Sequence, residues 1–165
     1  MDTEIRKIRK ILLVEDDPQD AELMLAALEE PHLAERVVVV RDGEEALDYL
    51  YRRGKFKSRL GSDPILVLLD LKMPKVTGLE VLKIIKADAY LRIVPVVVLS
   101  SSRETPDLVA CYKHDVNAYV VKPVDFSEFM KTVQQLVIFW ATINEPPPPA
   151  WREETAVQNG KGVLL

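Results

Sequence analysis

Acidic residues arrive together at Glu15-Asp16-Asp17, and a lone Asp70 follows the apolar stretch that ends at Leu69. Three serines occupy 100–102 at the end of another apolar stretch, and Lys122-Pro123 closes a further one. Taken singly, an Asp or Lys in such a place is most often a solvated loop residue or a helix cap. Taken jointly they suggest chemistry. Glu15 or Asp16 facing Asp70 sets like charges side by side, at a cost of about 4 kcal/mol per pair for a separation of roughly 4 Å and an effective dielectric near 20. A shared proton relieves that repulsion by raising one pKa; a divalent cation relieves it better, and a donor set of hard oxygens alone suits Mg²⁺ with several retained waters. Lys122 adds one more positive charge. A pocket holding a metal and an ammonium can accept a phosphoryl group, whose transfer needs alignment and neutralisation of the equatorial oxygens. An Asp carboxylate is a competent acceptor and gives an aspartyl phosphate.

These residues follow four of five short apolar runs: Ile11 to Val14, Val37 to Val40, Ile65 to Leu69, Val94 to Leu99 and Ala118 to Val121. Runs of this length without alternation, rich in Val and Ile, read as strands buried on both faces of a parallel sheet. Between them lie stretches of helical spacing, roughly Pro18 to Glu30, Gly43 to Arg53, Gly78 to Ala87, Pro106 to His114 and Asp125 to Trp140, several opened by helix-start residues. Five strand-then-helix repeats with right-handed crossovers predict an α/β fold: a doubly wound five-stranded parallel sheet, flavodoxin-like order 2-1-3-4-5, with helices on both faces. Ligands then belong at the carboxyl ends of strands 1 and 3. Residues 1–9 read as a lead-in, 10–143 as the folded domain and 144–165 as a tail; Arg6, Lys7, Arg9 and Lys10 read as a solvated basic cluster leading into strand 1. Pro146 to Pro149 cannot continue a helix and favour an extended conformation; Ala150 to Leu165 reads as mobile.

With 165 residues, 48% of them hydrophobic and 29% charged, the chain has the material for one core and little for a separate effector domain. The net charge of −4 has the wrong sign for nucleic acid or anionic lipid. A single cysteine, Cys111, excludes an internal disulfide and a four-thiolate metal site and suits a reducing compartment; it reads as a small buried side chain. No run approaches the ~18 apolar residues that span a bilayer, and Met1-Asp2-Thr3-Glu4 is acidic where a secretory signal is basic. A cytoplasmic location is expected, with no nucleic-acid or membrane partner. His32 and His114 read as surface or capping residues, and Gly43 and Gly54 as turn or cap glycines.

The spacing Glu15-Asp16, Asp70, Ser100, Lys122 resembles the receiver domain of two-component response regulators, over roughly Lys10 to Trp140. Leu68-Leu69-Asp70-Leu71-Lys72-Met73-Pro74 and Gly78 resemble the family's phosphorylation loop, and Tyr119 its switch aromatic. The resemblance implies Asp70 as phosphoacceptor; Asp16, Glu15 and the backbone carbonyl of Lys72 beside Asp70 as Mg²⁺ ligands; Ser100 as the switch hydroxyl; and Lys122 as the phosphoryl-pairing lysine, its bond to Pro123 cis. It further implies a signalling protein that catalyses only its own phosphotransfer and dephosphorylation, with a sensor histidine kinase as donor. A narrower similarity, carried by Arg41-Asp42-Gly43, the long Tyr51 to Asp63 connection and the ending Ile138-Phe139-Trp140 before a proline-bearing tail, is to stand-alone regulators of bacterial phytochromes, which implies a phytochrome kinase. Lys72 departs from the family pattern; it either lengthens or shortens the acyl phosphate's life or points into solvent.

The fifth predicted helix carries Phe126, Phe129, Met130, Val133, Leu136, Val137 and Trp140 on one core-facing stripe, with Ile138 and Phe139 off it. The apolar remainder suggests a homodimer through the fourth helix, fifth strand and fifth helix, unless the proline-rich tail folds over it. Three other readings compete. One, a degenerate receiver that works by binding alone, is opposed by the intact acceptor, acidic pair, hydroxyl and lysine. A haloacid dehalogenase-type phosphohydrolase also forms an aspartyl phosphate, but its nucleophile ends strand 1, where this chain has Glu15. A flavin carrier needs a strand 1 loop of amides and hydroxyls, where this chain has three acids.

Overall fold

The computed structural model describes residues 9–148. The strands are β1 (Ile11–Val14), β2 (Val37–Val40), β3 (Leu66–Leu69), β4 (Val96–Ser100) and β5 (Ala118–Val121). They form one parallel sheet in the order β2-β1-β3-β4-β5. The helices are α1 (Pro18–Ala27), α2 (Gly43–Tyr51), α3 (Gly78–Ala87), α4 (Thr105–Lys113) and α5 (Phe126–Ile138). The expected fold is present in full.

Successive strand side chains point to opposite faces, and here both faces are dry. Leu12, Val14, Val67, Leu69, Val96 and Val98 pack with Ala46 and Leu50 of α2, Val81 and Ile85 of α3 and Cys111 of α4. Ile11, Leu13, Leu66, Leu68, Val97 and Leu99 pack with Met24 of α1 and with Phe129, Val133 and Val137 of α5. The central strands β1, β3 and β4 are buried throughout, whereas β2 and β5 are mostly half-buried, because an edge strand has a neighbour on one side only.

Caps fix where the helices begin. The Asp17 carboxylate accepts from the N–H groups of Gln19 at 2.8 Å and Asp20 at 3.4 Å, so this third acid caps α1. Thr77 and Glu80 form a reciprocal capping box on α3, and Asp42 and Asp125 cap α2 and α5, each cap satisfying an amide that the helix itself leaves open. Three helices stop earlier than their spacing predicts, α4 by one residue, at Lys113. Helix α1 ends at Ala27, ahead of Pro31, whose ring drives the preceding residue out of helical geometry; α2 ends at Tyr51 with Arg52 left-handed at φ 55°. Beyond Ile138 the chain widens into a π-turn at Phe139–Ile143, closed by the Asn144 amide on the Phe139 carbonyl.

Four expectations need correction. Phe126 is 71% exposed, since the first turn of α5 overhangs the sheet and burial begins at Phe129. Ile138, placed off the stripe, packs in part against the core. Arg9 is buried, not solvated: its guanidinium donates to the Pro147 carbonyl at 2.8 Å and the Asp63 carbonyl at 3.3 Å, while its own carbonyl accepts from Arg36. The Lys122–Pro123 bond is trans, within the ~0.5 to 1 kcal/mol that separates the isomers before proline. Arg6, Lys7 and the tail segment Ala150 to Leu165 lie outside the described residues.

Candidate functional site

Parallel pairing carries the chemistry to one edge. Val14 pairs with Leu69, so Glu15 and Asp70 leave adjacent strands side by side, and the ladder continues past both as Glu15 N–H donates to Val40 at 3.0 Å and Asp70 N–H to Val14 at 3.1 Å. Ser100 pairs with Val121, and the next amide, that of Lys122, donates to the Ser100 carbonyl at 2.8 Å. Glycine makes the edge compact: a Cβ on Gly78 would sit 2.0 Å from the Asp70 carbonyl oxygen, so α3 starts hard against the strand end.

Glu15, Asp16 and Asp70 each offer a carboxylate oxygen within 4.8 Å of the others. Glu15 is buried and doubly held: it accepts from the Asp17 N–H at 3.1 Å and from the Lys122 ammonium at 2.7 Å. Lys122 also donates to Asp20 at 2.9 Å and stands 3.7 Å from Asp70. The Asp70 side chain keeps 11% of its surface exposed, enough to be reached from solvent. Burial pushes the Glu15 carboxyl up to about 7, against the opposing pull of Lys122. Burial also raises Asp70, opposed by the Lys122 charge and the backbone amides of Lys72 and Leu71 and reinforced by Asp16. For Lys122 burial works against the charge, but the hydrogen bonds to Glu15 and Asp20 outweigh it and keep the ammonium protonated. Several carboxylates facing one ammonium is an under-neutralised arrangement, and their all-oxygen donor set fits Mg²⁺.

A second group of bonds lies on the β4–α4 loop. Ser100 is buried, and its hydroxyl accepts from the Ser102 N–H at 3.3 Å. The Ser102 hydroxyl pairs with the Asp107 carboxylate and accepts from the Glu104 N–H at 3.3 Å. The Tyr119 hydroxyl donates to the Ser102 carbonyl at 3.0 Å. Ser100 and Tyr119 are thus two ends of one hydrogen-bonded loop.

The structure therefore brings Glu15, Asp16, Asp70, Ser100, Tyr119 and Lys122 to the same edge of the sheet. The Lys72 side chain is exposed while its amide faces Asp70. His32 and His114 lie away from this edge, the latter capping α4. Cys111 is fully buried in the core, with its thiol pushed up to about 11 by burial. Sequence reasoning missed Asp20, whose place in the first turn of α1 reads as an ordinary helix-dipole acid, and Asp107, which occupies the same kind of place on α4.

The family described as "Response regulator receiver domain" matches residues 11–134. The chain belongs to that receiver domain family. Among curated relatives it is 43% identical over 141 residues to the probable methanogenesis regulatory protein FilR2 of Methanothrix harundinacea, covering 85% of this chain and 88% of that one. It resembles the phosphorylated cyanobacterial phytochrome response regulator RcpA at 40% identity and a TM-score of 0.79, covering 85% of this receiver and 99% of that chain. The bacteriophytochrome response regulator AtBRR is 59% identical, with a TM-score of 0.67 over 84% of this receiver and 99% of its own chain. No described helix of the receiver is long and apolar enough to cross a membrane.

Proposed function

We propose that this receiver accepts a phosphoryl group from a sensor histidine kinase onto Asp70 and signals through the resulting change in its surface. The arrangement that carries this reading is the meeting of the Glu15, Asp16 and Asp70 oxygens within 4.8 Å, with Lys122 3.7 Å from Asp70. A carboxylate oxygen of Asp70 forms the new O–P bond as the P–N bond to the kinase histidine breaks and the imidazole leaves. Glu15, Asp16, Asp70 and the Lys72 backbone carbonyl would hold Mg²⁺, which when bound neutralises charge on the transferring phosphoryl. Lys122 supplies an ammonium to a phosphoryl oxygen, and the Ser100 hydroxyl turns from the Ser102 amide toward another. Tyr119 follows, because its hydroxyl is tied to the same loop. Turning a 1:99 conformational ratio into 99:1 takes about 5.5 kcal/mol of differential stabilisation, a load these contacts share.

A small phosphodonor with Mg²⁺ is expected to place one base-labile phosphoryl group on the wild type and none on Asp70→Asn; labelling that survives this substitution overturns the assignment. The phosphohydrolase alternative requires its nucleophile at the end of β1, the place held here by buried Glu15 in its bond to Lys122. Similarity to RcpA and AtBRR supports a phytochrome-type kinase as donor, which phosphotransfer profiling against candidate kinases tests. The domain limits 10–143 and a cytoplasmic location complete the reading. Val109 and Tyr112 on α4 and Phe139 after α5 are exposed and support a homodimer through α4, β5 and α5. Phe139→Asp is expected to lower the sedimenting mass at micromolar concentration, and an unchanged mass speaks against that face.

A further inference from the structure

Lys122 is held by two carboxylates on the side away from Asp70's hydrogen-bond reach. An ammonium has three N–H donors. One is taken by Glu15 at 2.7 Å and one by Asp20 at 2.9 Å, while Asp70, at 3.7 Å, is beyond a good hydrogen bond. The two partners differ in how easily they let go. Glu15 is 2% exposed and is gripped from its other oxygen by the Asp17 amide, so losing Lys122 would leave a buried carboxylate short of a partner. Asp20 is 32% exposed at the first turn of α1, where water replaces the ammonium at little cost. Asp20 is also absent from the carboxylate cluster that could hold a metal, which comprises Glu15, Asp16 and Asp70.

We propose that Asp20 is a positioning residue, a releasable carboxylate that holds the Lys122 ammonium on the α1 side and competes with the phosphoryl group for it. The inference rests on Asp70 as the phosphoacceptor. When a phosphoryl group occupies Asp70, its oxygens carry more negative charge than the carboxylate they replace. The ammonium stands 3.7 Å from Asp70, so reaching a phosphoryl oxygen draws it away from α1: Lys122 keeps Glu15 and gives up its 2.9 Å bond to Asp20. The affinity of the site for a phosphoryl group is therefore set partly by a residue that touches neither metal nor phosphate.

Beryllofluoride, which mimics a phosphoryl group on a carboxylate, is titrated at saturating Mg²⁺ into wild type, Asp20→Asn, Lys122→Ala and the double variant, with amide NMR as the readout. Mg²⁺ alone is titrated in parallel. Asp20→Asn is expected to tighten beryllofluoride binding about threefold to fivefold, the scale of one partly exposed ion pair. The gain should vanish when Lys122 is Ala, and Mg²⁺ affinity should change by less than about twofold. Equal tightening in both backgrounds would mean a general charge effect and would overturn the proposal. So would unchanged or weaker beryllofluoride binding, or a clear loss of Mg²⁺ affinity, which would make Asp20 part of the cation site. Failure of the wild type to bind beryllofluoride at all is a separate result: it removes the phosphoacceptor reading and this inference with it. Amide spectra of the Mg²⁺-only samples report whether each variant is folded.

Discussion

Crowded charge is the dominant fact at the residue scale. Glu15, Asp20 and Asp70 all lie within 3.7 Å of the Lys122 ammonium and Asp16 joins Glu15 and Asp70 within 4.8 Å, so without a metal the repulsion is only partly relieved. Asp16→Asn and Asp70→Asn are each expected to stabilise the metal-free protein by about 1 kcal/mol, a rise of roughly 2 to 4 °C in Tm. Mg²⁺ should then raise the melting temperature of the wild type more than that of either variant. Equal shifts on adding Mg²⁺, read by calorimetry, would show that these carboxylates do not hold the ion. Residues of this kind are legible in a sequence because they sit where apolar runs stop: Glu15 after Val14, Asp70 after Leu69, Lys122 after Val121. Asp20 is not, because an acid in the first turn of a helix has an adequate local reason to be there. Only the fold shows which side chain it meets.

Elements position these side chains, and their joints are where substitution should tell most. Gly78 starts α3 against the Asp70 carbonyl with no room for a Cβ, which would come within 2.0 Å. Gly78→Ala is expected to cost about 3 kcal/mol, since the neighbour is backbone and cannot rotate away, and to depress phosphorylation by displacing Asp70. Urea unfolding and a phosphodonor assay check the two effects. Lys86, near the end of α3, donates to the carbonyls of Arg92 and Val94, both at 3.0 Å, and to the Asn117 side chain at 2.8 Å. Burial lowers its pKa from 10.5 to about 8. Between those values the unfolded chain binds the extra proton, so this group's contribution to stability rises with pH across the window. After allowance for solvent screening, the stability advantage of wild type over Lys86→Met should grow by about 1 kcal/mol from pH 8 to pH 10; a constant difference removes the idea. The type and order of the elements follow from apolar runs and helical spacing alone. Their ends follow less well, because Pro31 cuts α1 short and the π-turn prolongs α5 by means that periodicity does not carry.

Across the whole molecule, the two ends of the described chain meet on the side opposite the carboxylates. Arg9 enters β1, and its guanidinium bridges the carbonyl of Pro147, 138 residues later in the chain, to that of Asp63 ahead of β3. Sequence patterning places Arg9 in a solvated lead-in and the prolines in a separate tail, since one guanidinium meeting one distant carbonyl leaves no periodic trace. The half-burial of Pro146 and Pro147 shows these two prolines lying back on the fold. Arg9→Ala leaves half-buried carbonyls without their charged donor, a loss of about 2 kcal/mol and roughly 4 to 8 °C in Tm. The closure lies at the amino ends of the strands and the carboxylate cluster at their carboxyl ends, with the sheet between. The same variant should therefore bind Mg²⁺ and beryllofluoride within about twofold of wild type. A drop in that affinity alongside the lower Tm would mean that the Arg9–Pro147 contact and the carboxylate edge are coupled through the sheet.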